Sequence, residues 1–388
     1  VVSPHATNVT GMRSGALEGI RVIDVTSVGM GPFATQFLGD MGAEVIKVES
    51  PQGDVFRHTQ PTKSAGMGAA FLNLNRNKSS VVLDLKVAQD LAKLKTMVDD
   101  ADVFVSNLRP SVLKRYGLDA KTRLAANSRL IHCVGMGYGQ GGPYADLPAY
   151  DDIIQARCGL VDLQSRHSEQ PQYVNTIIAD KVTGLTMAAA IPVALYEREQ
   201  SGHGQAIEVP MFETMVAFSL VEHLGHHTYR PPTGSMGYER VLSPNRKPYA
   251  TRDGFLSLLP YTDAHWQAFF EVAEAPELAH DPRFVRTTVR ALHYNALYAL
   301  VAEKVETQTT AEWLARLATT TIPHAPVITL DTLPQDPHLV ATGFFQEVDH
   351  PTEGPLLAVS NPVKFSRTPA SIRCLAPEFK DKESPQDA

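Results

Sequence analysis

Short apolar runs, closely spaced, dominate the first half of the chain. Residues 20–24 read as a buried strand, Ser27 to Pro32 as a Gly-rich turn, residues 33–41 as a helix ending at Gly42, and residues 45–49 as a second strand. Together they predict a βαβ unit. Pro32 suits the first helical turn, where its missing N–H would have no intrahelical partner. The alternation continues with strands at 80–85, 103–105 and 130–134 and a helix at 87–99 carrying Leu91, Leu94 and Val98 on one face. This is an α/β pattern: a mostly parallel sheet with helices on both faces.

Further on, a β-type segment at 173–178 precedes an Ala-rich helical run at 184–199, with Asp180 at the junction, where α/β proteins place chemistry. Local pattern alone makes Asp180 a helix N-cap. Another helix starts near Met211. Residues 228–248, rich in Pro, Gly and Ser, read as a linker. A hairpin at 249–259 turns on Asp253-Gly254, followed by helices at 264–272, 292–306 and 310–317 and a strand at 325–328. The predicted organisation is a large domain at 15–227, the linker 228–248, a smaller α+β domain at 249–330, a return to the large domain at 331–375 and a tail at 376–388.

A chain of 388 residues, 43% hydrophobic, suits two domains. Its net charge of -7, from 35 basic and 42 acidic residues, gives no broad basic surface, which argues against nucleic acid or an anionic membrane as partner. Cys133, Cys158 and Cys374 are too scattered for a disulfide framework or a metal site, so a reducing compartment is expected. Residues 1–15 carry no apolar signal core, and the apolar stretch 185–195, interrupted by Pro192, is short for a bilayer span; the expected location is the cytoplasm. The charged end, residues 378–388, is expected to fray.

Gly29, Gly31 and Ala34 spell G-x-G-x-x-A, and Glu49 ends the next strand, the outline of a Rossmann-like dinucleotide site. Pro32 removes one donor that would meet a pyrophosphate, and no hydride-transfer constellation follows, so NAD is set aside. His223, His226 and His227 have one acidic neighbour, Glu222, and no cysteine nearby. They read as a helical surface or pocket lining rather than a metal site.

Eight collinear blocks carry a resemblance: the opening, residues 17–24 with Gly31-Pro32 and 42–49, then 75–86, 102–117, Ala149-Tyr150-Asp151-Asp152 with Gln155-Ala156, Ala179-Asp180, 201–205, Asp336-Pro337-His338 and 361–366. In this order the chain resembles the class III CoA-transferase family of formyl-CoA transferase and carnitine CoA-transferase over residues 15–375. The resemblance implies a Rossmann-like large domain, a smaller domain and an interlocked homodimer. It makes Asp180 the nucleophile, forming an aspartyl-acyl anhydride and then an aspartyl-CoA thioester. It assigns Val28, Gly29, Leu83, Lys86, Asn107, Leu108, Arg115, Tyr138 and Tyr150 to CoA. Residues 201–205 match a hairpin of the family, and 361–366 its terminal strand. The implied partners are an acyl-CoA donor and a carboxylate acceptor, with CoA as substrate and no permanently bound cofactor.

An ordinary aspartate, with a pKa of about 3.9, would be ionised at neutral pH without a general base. The chain lacks the glycine run of formyl-CoA transferase between residues 228 and 248, and Ser50 stands where that relative has an arginine. Larger acids than formate therefore fit better. Arg230, Arg240, Arg246 and Lys247 offer charge for a dicarboxylate acceptor. Two alternatives stand beside this reading: an α-methylacyl-CoA racemase of the same fold, whose histidine is replaced here by Tyr150, and a non-catalytic CoA-binding protein, against which an intact Asp180 counts.

Overall fold

The computed structural model describes residues 15–379 apart from 167 and 169. The readings of the chain's start and of its charged end therefore lie almost wholly outside the described residues. The chain divides into two compact units.

The first unit takes in the described residues up to Val161, then Tyr173–Phe218, then those from Pro337 on. Its sheet has six parallel strands: β1 Arg21–Val25, β2 Glu44–Glu49, β3 Lys78–Val82, β4 Val103–Ser106, β5 Ile131–Met136 and β6 Ala206–Pro210. Their order is β3-β2-β1-β4-β5-β6. β4 and β5 are buried along their whole length, as strands covered on both faces must be. The strand order reverses between β1 and β4, which opens a crevice beyond their C-terminal ends. Val25 pairs with Ser106 at that end, so the loops beginning at Ser27 and Asn107 leave the sheet side by side.

Among the described residues nine helices are threaded between and after these strands: α1 Met30–Asp40, α2 Ala69–Leu74, α3 Ala88–Asp99, α4 Pro110–Tyr116, α5 Ala120–Ala126, α6 Asp151–Arg157, α7 Leu160–Ser165, α8 Ile178–Ser201 and α9 Met211–His223, of which α7 and α9 run on into the second unit. α8 packs along α1. At 24 residues it is long and apolar enough to cross a membrane, longer than the apolar stretch 185–195 suggested. One stripe of it, Ala179, Thr183, Met187 and Ile191, is fully buried in the unit.

Four expectations need correction. Residues 173–178 form no strand: Gln155 donates to the carbonyls of Val174 and Thr176 and accepts the Val174 N–H, so the segment needs no strand partner. α8 begins six residues before the expected 184, which makes Asp180 its third residue and not its N-cap. Residues 201–205 are not a hairpin but the connection from α8 to β6, a strand absent from the sequence reading. Gly202, at φ 79°, ends the helix, and a Cβ on Gly204 would lie 2.0 Å from the Leu130 carbonyl oxygen. Residues 361–366 are not a strand either. The terminal pair is β10 Phe345–His350 with β11 Gly354–Val359, after α14 Pro337–Ala341, and Asn361 instead donates to Asp40 of α1.

The second unit comprises Asp162–Gln172 and Ser219–Asp336. Its antiparallel sheet of β7 Tyr249–Ala250, β8 Phe255–Leu258 and β9 His324–Pro326 is accompanied by α10 Asp263–Val272, α11 Thr287–Arg290, α12 Tyr294–Val305 and α13 Thr310–Leu317. Trp266, Phe269, Phe270, Phe284, Tyr298 and Trp313 fill its core.

Candidate active site

The β1–α1 loop is built to hold one strained shape. Val28 adopts φ +68°, a left-handed conformation that costs a β-branched residue about 1–3 kcal/mol. Its neighbours over-determine it. Asp54 accepts the Val28 N–H at 3.1 Å, and the Asn107 amide both accepts from Ser27 N–H at 3.2 Å and donates to the Ser27 carbonyl at 2.9 Å. Lys47 of β2 bridges Asp54 and the Thr26 carbonyl, each at 2.8 Å, and Thr26 and Asn107 directly follow the C-terminal ends of β1 and β4.

Asp180 meets this loop. Its carboxylate reaches the start of α1, against Gly29 and near the Met30 N–H, where orphan donors and the helix dipole favour an anion. The approach is close: a Cβ on Gly29 would lie 2.7 Å from Asp180 Oδ2, and one on Gly184 would lie 2.6 Å from the Met30 carbonyl oxygen. Only glycine fits at either position. Burial first, and the nearby Asp151 carboxylate second, raise the Asp180 carboxyl to about 6 against the lowering pull of the Met30 N–H. The ordinary value expected from sequence is thus corrected.

Asp151, 6% exposed at the start of α6, accepts the Asp180 backbone N–H through Oδ1 at 3.0 Å, while Oδ2 accepts a hydrogen bond from Gln155 Nε2 at 2.6 Å. The sequence places Asp151 and Gln155 four residues apart on one helix, which signals only a local pair. Their contact with α8 was invisible there.

Asp180 lines a cavity of about 260 Å³ with Val28, Asn107, Leu108, Arg109 and Tyr150. A second cavity of about 440 Å³ shares Ser27, Val55, Asn107 and Leu108 with it and extends to Leu83, Lys86 and Tyr116. One elongated ligand can therefore reach from Lys86 to Asp180. Of the residues expected to meet CoA, Val28, Leu83, Lys86, Asn107, Leu108 and Tyr150 line these cavities, and Gly29 abuts Asp180. Two do not. Arg115 is exposed, with its guanidinium 5.0 Å from the Tyr116 ring, and Tyr138 is buried against Tyr144 and Phe212. Arg109, Asp54 and Asp151 are additions that the sequence reading missed.

Glu49, the acidic residue of the dinucleotide outline, is already occupied. Both its oxygens lie 2.7 Å from Arg57 nitrogens, and neither is free for a ribose. His223 accepts the Tyr238 N–H and His226 pairs with Thr233; among the described residues no cluster of three potential metal ligands occurs. In the second unit Arg240 donates to Tyr298 and stacks on Tyr261, and Arg230 donates to the His227 carbonyl.

Residues 17–382 match the family described as CoA-transferase family III. The chain is 30% identical to succinate–glutarate CoA-transferase of Agrobacterium fabrum, covering 96% of this chain and 95% of the relative. It is 33% identical to acetyl-CoA:oxalate CoA-transferase of Acetobacter aceti, covering 91% and 90%. Among solved structures, a CAIB/BAIF family protein from Brucella suis aligns with a TM-score of 0.80 at 30% identity, over 95% of this chain and 97% of that one.

Proposed function

The chain belongs to CoA-transferase family III, and from that premise we propose that it moves CoA from an acyl-CoA donor to a carboxylic acid through covalent intermediates on Asp180. Asp180 attacks the thioester carbonyl, the C–S bond breaks, and CoA thiolate leaves an aspartyl-acyl anhydride. The thiolate then attacks the aspartyl carbonyl, releasing the donor acid and forming an aspartyl-CoA thioester. An acceptor carboxylate attacks that thioester and expels the thiolate again. The thiolate takes the acceptor acyl group from the second anhydride, and Asp180 is regenerated. Each step is a substitution at a carbonyl carbon, so CoA is a substrate and no redox group is called for.

The observation that carries this reading is the Asp180 carboxylate at the start of α1, lining a cavity that shares Ser27, Val55, Asn107 and Leu108 with a second one reaching Lys86. With a pKa of about 6 it is ionised in about nine molecules of ten at pH 7, so it needs no base. Burial also strips it of water, which suits an attacking carboxylate and shields an anhydride from hydrolysis. N–H groups at the α1 N-terminus can carry the charge that develops on the carbonyl oxygen. The racemase alternative needs a second acid–base group tuned near neutrality. The described cavity wall offers Tyr150 and no histidine.

The family resemblance further supports an interlocked homodimer as the working form. α8 supplies an apolar stripe for it, with Leu185 50%, Val193 68% and Tyr196 70% exposed on a single chain. Asp180→Ala tests the chemistry. The variant should fold and bind CoA but lose CoA exchange between acyl-CoA and free acids by at least about a thousandfold, the scale of removing an essential nucleophile. Exchange at the wild-type rate would defeat the mechanism.

A further inference from the structure

We infer that Arg109 selects the acceptor, binding the second carboxylate of a short dicarboxylic acid; the inference rests on the CoA-transfer reading of the Asp180 cavity. Arg109 precedes Pro110, the first residue of α4, in the loop that leaves β4 at the sheet crevice. Among the described residues lining the cavity it is the one cation, and the acids on that wall are Asp146 and Asp180. Its side chain is exposed and forms no ion pair among the described residues, so no protein carboxylate occupies its fork.

The charge balance explains what such a group does. When the acceptor arrives, Asp180 is tied up as a neutral thioester, and the attacking carboxylate loses its charge as the new anhydride forms. A second carboxylate keeps its charge throughout. Held in a half-enclosed cavity beside Asp146, it needs a fixed cation, and a guanidinium matches it with two parallel hydrogen bonds. Size points the same way. About 260 Å³ lies below the range of roughly 300–1,000 Å³ typical of drug-sized sites, so the cavity suits an acid of a few carbons. The basic residues of the linker are poorer candidates, because Arg240 is committed to Tyr298 and Arg230 to the His227 carbonyl.

The test compares glutarate with pentanoate, acids of one chain length that differ in the distal carboxylate, as acceptors for the wild type, Arg109→Gln and Arg109→Lys. Arg109→Gln should raise KM for glutarate by roughly 10- to 100-fold, the scale of a lost charge-assisted pair, and change KM for pentanoate far less. Arg109→Lys should recover only part of the loss, because an ammonium lacks the planar fork. Equal effects on both acids, or none on either, would overturn the inference while leaving CoA transfer intact. If the wild type transfers CoA to neither acid, the CoA-transfer reading is tested separately, by exchange with other carboxylic acids in the wild type and Asp180→Ala. Calorimetric binding of glutarate then decides for Arg109: binding lost in Arg109→Gln supports the assignment, and binding retained removes it.

Discussion

Asp151 acts on Asp180 in two ways that a single substitution can separate. Its Oδ1 accepts the Asp180 N–H and so fixes the backbone from which the carboxylate projects, while its negative charge raises the Asp180 carboxyl. Asp151→Asn keeps an acceptor oxygen and removes the charge. A raised carboxyl loses its reactive, ionised form as pH falls through about 6, so wild-type kcat/KM should drop on the acid side there. In Asp151→Asn that limb should move to lower pH, because the like-charge contribution is gone while burial remains. A pH–rate profile with an unmoved acid limb would show that burial alone sets the Asp180 value. None of this could be read from the sequence, where Asp180 and Asp151 stand 29 residues apart and each passes for an ordinary helix-start acid.

At the scale of elements, the site depends on a loop held by buried charges rather than by its own sequence. Glu49, at the end of β2, binds Arg57 through two bonds and also accepts the Asp54 N–H, and Asp54 in turn holds Val28. Arg57 is fully buried and Glu49 nearly so. Arg57→Ala should therefore destabilise the first unit by roughly 3–5 kcal/mol, since it leaves a buried carboxylate without its cation. Pairing Glu49→Gln with Arg57→Met should restore a large part of that loss. Denaturant unfolding checks both, and a cost below about 1 kcal/mol for Arg57→Ala would mean that the pair does not hold the loop. The strands β1, β2, β4 and β5 were legible in the sequence because buried parallel strands are largely apolar runs, whereas β3, an edge strand opening on Lys78-Ser-Ser, was read two residues late, at 80–85. β6 was not: Ala206-Ile-Glu-Val-Pro210 is a mostly part-exposed strand at the sheet edge, and the glycines before it imitate a hairpin turn. The early start of α8 was hidden too, because the acceptor for its first-turn N–H comes from Asp151, on a distant helix.

For the whole molecule, the apolar stripe of Leu185, Val193 and Tyr196 on α8 is the surface that assembly should cover. Interlocked subunits should bury far more than the roughly 1,600 Å² of a standard interface and separate only on unfolding. Sedimentation at nanomolar concentration should then show a dimer, and labelled and unlabelled protein should not exchange subunits without denaturant. A folded monomer, or rapid exchange, would rule the interlocked form out. The central claim is the covalent use of Asp180, and intact-protein mass spectrometry of the enzyme quenched during turnover with acyl-CoA tests it most directly. The account predicts a CoA-sized mass gain that hydroxylamine removes, mapped by digestion to the peptide carrying Asp180 and absent from Asp180→Ala. Turnover with no adduct at any quench time, or an adduct that persists in Asp180→Ala, would contradict it.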